Sequence, residues 1–147
     1  MKKLAIVLLL VAAGCRRTVV VGNATTARDP GAPTPREAVD RFMVAAKTQD
    51  LQAMSLVWGT NAGPTIETMP KEERDQREII MMCYLKHDSY RIMGEAPSTE
   101  GDRMIAMEVK FKDLTRSTSF KATRVSSNRW FVARFEMEPL RDICARK

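Results

Sequence analysis

From residue 34 onward the chain carries two hydrophobic rhythms in succession. In "TPREAVDRFMVAAKTQ" the apolar residues Ala38, Val39, Phe42, Met43 and Ala46 recur every three to four positions, the spacing of a buried helix face. Thr34 stands at the N-cap, Pro35 at the first helical position and Glu37 three residues after the cap, so the free backbone donors at the helix start find local acceptors. Asp50 caps a second, short helix in which Leu51, Met54, Val57 and Trp58 share a face, with Gly59 as its stop. After a loop at "GTNAGPT" the pattern predicts a third helix from Pro70 to Leu85. Its first half, "KEERDQRE", is charged and its second, "IIMMCYL", is apolar, so the helix is expected to enter the core over its last two turns.

From Ser89 the period falls to two. "MIAMEVKF" sets Ile105, Met107, Val109 and Phe111 on one face and Ala106, Glu108 and Lys110 on the other, the alternation of a half-buried strand. "SYRIMGEA" precedes it, with a turn at "PSTEGD", and "STSFKATRV" and "RWFVARFEM" follow, separated by the turn "SSN". Four strands joined by short turns predict an antiparallel meander. The chain therefore reads as α+β, with three N-terminal helices packed on one face of a curved four-stranded antiparallel sheet.

The stretch before residue 34 follows neither rhythm. Met1-Lys2-Lys3 is a cationic head, residues 4–13 are an unbroken apolar run, and Ala12-Ala13-Gly14 precede Cys15. Residues 1–14 read as a secretory signal peptide, since the run falls well short of the roughly 20 residues of a membrane-crossing helix. The small residues ending at Cys15 resemble the lipobox of bacterial lipoproteins, although Ala12 stands where Leu is usual. The resemblance implies that Cys15 is lipidated and becomes the first residue of the mature chain, and Arg16 after it implies the outer membrane, facing the periplasm. The alternative is ordinary cleavage near Ala13, with Cys15 a plain thiol. Residues 15–33, rich in Thr, Gly, Ala and Pro, read as the lipidated cysteine and a flexible tether reaching roughly 25 Å. Residues 34–147 then form a single domain.

Export changes what the charge means. The chain has 24 basic and 18 acidic residues, a formal charge of +6, and losing Lys2 and Lys3 leaves +4. An exported protein meets no nucleic acid, so the attraction available to this modest excess is anionic lipid or polysaccharide. Lipidation of Cys15 would leave Cys83 and Cys144 as an even pair in an oxidising compartment, where a disulfide is favoured over two buried thiols. Closing that loop would stabilise the fold by about 4 kcal/mol on the chain-entropy account. A competing reading takes Cys83 and His87, one turn apart beside Met81 and Met82, as soft ligands for Cu(I). Both readings need the same sulfur and exclude each other; the ligand count favours the disulfide, and no metal or other cofactor is expected.

The order of elements, from "TPREAVDRFMVAAKTQDLQAM" through further helices to a meander closing on "RWFVARFEM", resembles the nuclear transport factor 2-like superfamily over residues 34–138. That resemblance implies a cone-shaped α+β domain whose interior holds a small molecule, buries a dimer contact or is simply filled. Enzymes of the superfamily place a carboxylate or His in the cone as acid or base. The candidate polar residues for such a pocket are His87 and Asp88, at the end of the third helix, and Arg134 and Glu136, expected on the Trp130 and Val132 side of the last strand. Glu108 is expected to point away from the core. None of these matches a catalytic motif, and phosphate loops, nucleophile elbows and calcium loops are missing from the sequence. The reading is a lipid-anchored, non-catalytic binding or assembly module of the cell envelope. Its partners are the membrane through the lipid, and a small apolar ligand, an envelope protein or a second copy of the chain. The alternative is a small-molecule enzyme of isomerase, cyclase or hydrolase type working through a cone carboxylate or His.

Overall fold

The computed structural model describes residues 29–146. The expected signal peptide, Cys15 and the expected tether up to residue 28 lie outside the described residues. The domain is mixed α+β. Helices α1 (Pro35–Thr48) and α2 (Leu51–Val57) begin at caps made by side chains: Thr34 Oγ1 accepts from the Glu37 N–H at 3.2 Å and Asp50 Oδ1 from the Ala53 N–H at 2.9 Å. The loop after α2 holds a two-residue ladder, β1 (Gly59–Thr60) with β2 (Gly63–Pro64), and a single helical turn, α3 (Thr65–Thr68). Helix α4 (Lys71–Tyr84) follows. Strands β3 (Ser89–Pro97), β4 (Arg103–Phe111), β5 (Leu114–Arg124) and β6 (Trp130–Phe135) then form an open antiparallel sheet in the order β3-β4-β5-β6, and a short helix α5 (Arg141–Ala145) closes the chain. No helix among the described residues is long and apolar enough to cross a membrane.

One sheet face carries the main core. Ile105, Met107 and Val109 of β4, Phe120 and Ala122 of β5, and Val132 and Phe135 of β6 are buried against Val39, Phe42, Met43 and Ala46 of α1. The rings of Phe42, Phe120 and Phe135 fill the space between helix and sheet. Phe120 and Phe135 stack at 5.4 Å, and Phe42 meets both edge-on at 6.4 and 6.3 Å. A smaller cluster occupies the other face, where Phe131 packs beneath Gly31 and Gly59.

Two features depart from the sequence pattern. The segment expected to end a tether is packed from Pro30. Ala32 is fully buried and pairs with Trp130 of β6, and Gly31 donates its N–H to the Leu56 carbonyl at 2.7 Å. The second departure is α4, which enters the core differently from its block pattern. Seven consecutive apolar residues go all the way round a helix, so they cannot all face inward. The inward stripe runs through Arg74, Glu78, Met81 and Leu85, and it leaves Ile79 and Ile80 59% and 55% exposed.

Candidate functional site

Helix α4 divides its two sides between a buried polar cluster and an open apolar groove. On the inner side, Glu78 is fully buried with Oε1 2.6 Å from the Ser55 hydroxyl of α2, while Oε2 has no hydrogen-bond partner among the described residues. The same hydroxyl lies 2.8 Å from the Leu51 carbonyl. One turn earlier, Arg74 reaches the Ile66 carbonyl of α3 at 3.4 Å, and Thr65 donates to the Trp58 carbonyl at 3.1 Å. Burial pushes the Glu78 carboxyl up to about 7, against the lowering influence of Ser55 and Arg74.

On the outer side, α4, the α1–α2 corner and the end of β4 enclose a groove of about 580 Å³, floored by Leu51, Ile79, Met82 and Phe111. Lys47 and Lys86 stand on its walls with His87. Among the described residues neither lysine forms an ion pair: Lys47 Nζ donates to the Asp88 carbonyl at 2.8 Å and Lys86 Nζ to the Arg146 carbonyl at 3.3 Å. Cys83 also lines the groove and stands at disulfide-bonding distance from Cys144 of α5, with the two Cα atoms 4.8 Å apart. The disulfide therefore ties α4 to α5 and occupies the sulfur that a Cu(I) site would need.

His87 is buried, and its Nδ1–H donates to the Leu85 carbonyl at 2.7 Å because a carbonyl can only accept. Its ring meets Tyr90 edge-on at 5.2 Å. Burial and nearby Lys47 hold the imidazole below its ordinary pKa, outweighing the opposing influence of the Leu85 carbonyl and Asp88. Tyr90 donates in turn to Asp40 at 3.2 Å; burial, helped by that carboxylate, pushes its phenol up to about 12.

Of the other polar residues expected to share a pocket, Asp88 lines an open depression of about 350 Å³ beside His87, with Val44, Lys47 and Tyr90, whereas Arg134 and Glu136 lie elsewhere. The Asp88 carboxylate turns to the Lys112 N–H at 2.6 Å, where the backbone is left-handed with φ 55°, and so fixes the β4–β5 turn. Arg134 and Glu136 lie on the outer sheet face rather than on the Val132 side. Ala122 pairs with Val132 but its neighbour Lys121 pairs with Arg134, so Ala133 is an extra residue that reverses the alternation beyond it. Arg134 and Glu136 instead border a shallow depression with Lys121, which is ion-paired to Asp102 at 2.6 Å. Glu108 also faces outward, 3.2 Å from Arg91.

Sequence reasoning missed Glu78, because a glutamate following six charged residues looks solvated. The available signal was its i+4 spacing from Arg74 and i−3 and i−7 spacing from Met81 and Leu85. Comparison with protein-family models, with curated proteins and with solved structures finds no match for this chain.

Proposed function

We propose that the chain is a lipid-anchored module of the cell envelope, held through Cys15 at the outer membrane and facing the periplasm, whose α+β domain binds or assembles with another molecule without transforming it. The domain is of the nuclear transport factor 2-like cone type, with its interior occupied by the Phe42, Phe120 and Phe135 rings. The observation that carries the reading is the outer side of α4, where exposed Ile79 and Ile80 adjoin an apolar groove while charged Arg74 and Glu78 are turned inward. Exposed apolar surface of this kind is typical of a contact site. The Cys83–Cys144 pairing agrees with an oxidising compartment.

A second reading, a small-molecule enzyme, draws on Glu78, a buried carboxyl raised to about 7, the range of a general acid or base. Glu78 is fully enclosed and is not among the groove walls, which favours the binding reading.

The test is the intact mass of the protein extracted from membranes, with and without reduction before alkylation. A mass beginning at lipidated Cys15, with two thiols that alkylate only after reduction, supports the envelope module. An unlipidated chain whose Cys83 and Cys144 alkylate freely overturns it.

A further inference from the structure

The groove combines two properties that specify a ligand. Its floor is apolar and partly open to water, and its walls carry cations without acids. Leu51, Ile79, Met82 and Phe111 supply a surface suited to an alkyl chain, and the roughly 580 Å³ enclosed is within the range of small-molecule sites. Lys47 and Lys86 each spend one proton on a neutral backbone carbonyl, leaving two donors and the whole positive charge of each ammonium. Among the described residues no Asp or Glu lines the groove. A purely apolar occupant would leave the two ammonium groups without a counter-charge, and a small inorganic anion would leave the floor wet.

We propose that this groove binds a single-chain anionic amphiphile, a long-chain carboxylate whose tail lies along Ile79, Met82 and Phe111 and whose headgroup reaches the ammonium groups of Lys47 and Lys86. The inference rests on the binding-module reading and names its ligand class. The space between α1 and the sheet is filled by aromatic rings, so the tail lies outside the main core, against the disulfide-tied side of α4.

The experiment titrates octanoate, decanoate and dodecanoate, all below their micelle concentrations, into the exported chain carrying Cys15→Ser. Calorimetry gives the affinity and amide NMR shifts give the location. Octan-1-ol serves as the uncharged analogue. Because Cys15→Ser removes the lipidated position, the outcome is independent of anchoring, which the mass measurement tests separately. The expected result is one ligand per chain, with shifts centred on residues 79–87 and Phe111, and affinity rising severalfold with each added methylene. Octan-1-ol should bind about tenfold more weakly than octanoate. Lys86→Gln should weaken octanoate severalfold and leave the alcohol unchanged, Lys47→Gln with Lys86→Gln should bring octanoate to the level of the alcohol, and Ile79→Asp, at an exposed position, should weaken both. Lack of saturable binding, equal affinity for acid and alcohol, or indifference to Lys86→Gln overturns the proposal. So do shifts at the same residues on raising protein concentration alone, which would assign the groove to a second copy of the chain.

Discussion

Ser55 has one hydroxyl hydrogen and two neighbours that accept it, the Leu51 carbonyl at 2.8 Å and Glu78 Oε1 at 2.6 Å. The hydroxyl donates to Glu78 Oε1, which favours the ionised carboxylate, but burial outweighs that bond and the nearby Arg74 and pushes the carboxyl up to about 7. Since the folded state favours the protonated form, this contribution to stability is complete below the ordinary value of 4.5 and is lost as pH rises through 7. His87 acts oppositely: its depressed pKa gives stability that is complete above 6.5 and declines as the pH falls below it. Comparing Glu78→Gln with the parent protein cancels the His87 contribution. The variant is expected to match the parent in urea at pH 4 and to exceed it at pH 8, by an amount on the order of 2–3 kcal/mol. A difference that does not grow with pH would show that Glu78 is ionised in the fold. Gly59 makes a steric case at the same scale. A β-carbon there would stand 2.7 Å from the Gly63 carbonyl and 3.0 Å from the Phe131 ring, so Gly59→Ala should lower stability by about 1–3 kcal/mol, read from the thermal midpoint.

At the scale of elements, α4 is where orientation and sequence pattern part. If Ile79 and Ile80 face water as their exposures indicate, Ile79→Lys with Ile80→Lys should change unfolding stability by no more than about 0.5 kcal/mol. A loss of several kcal/mol would mean that this side of α4 is packed. The elements legible in the sequence are those fixed by local chemistry. Thr34 and Asp50 satisfy backbone donors within three residues, and Ile105, Met107 and Val109 alternate with the strand's own period. The four-stranded meander follows from short turns, including Asn128, whose side chain tolerates φ 62°. What was not legible depends on partners distant in sequence. An aperiodic block such as "IIMMCYL" has no preferred face until Ser55 engages Glu78 and Cys83 meets Cys144. The extra residue at Ala133 belongs to the pairing of β6 with β5, and it moves Arg134 and Glu136 to the outer face. The groove was legible least of all, since its walls come from α1, α2, α4 and β4.

For the molecule as a whole, the decisive boundary is where the fold begins. The onset of helical periodicity places it at residue 34, yet the described structure is clasped by the four residues before that. Ala32 and Trp130 exchange backbone hydrogen bonds of 2.9 and 2.8 Å along the outer edge of β6, which also bridges to Trp58 through Val132. Arg129 donates to the carbonyls of Pro30 and Gly31 at 3.1 and 2.7 Å, and Arg41 of α1 donates to Gly31 at 3.1 Å. Gly31 has φ 72°, and a β-carbon there would fall 2.7 Å from the Phe131 ring, so the close approach of this segment to the sheet depends on glycine. The clasp covers one edge of an open sheet, limiting pairing with other chains, and joins α1, α2 and β6 in one network. Each net hydrogen bond contributes about 1 kcal/mol, partly offset by the entropy of ordering four residues. A chain beginning at residue 34 should therefore be less stable than one beginning at residue 29 by an amount on the order of 2–4 kcal/mol, and should self-associate more readily through the bared β6 edge. Urea unfolding and sedimentation of the two chains check both expectations. Equal stability and equal sedimentation would place residues 29–33 outside the cooperative fold and make its first residue Thr34.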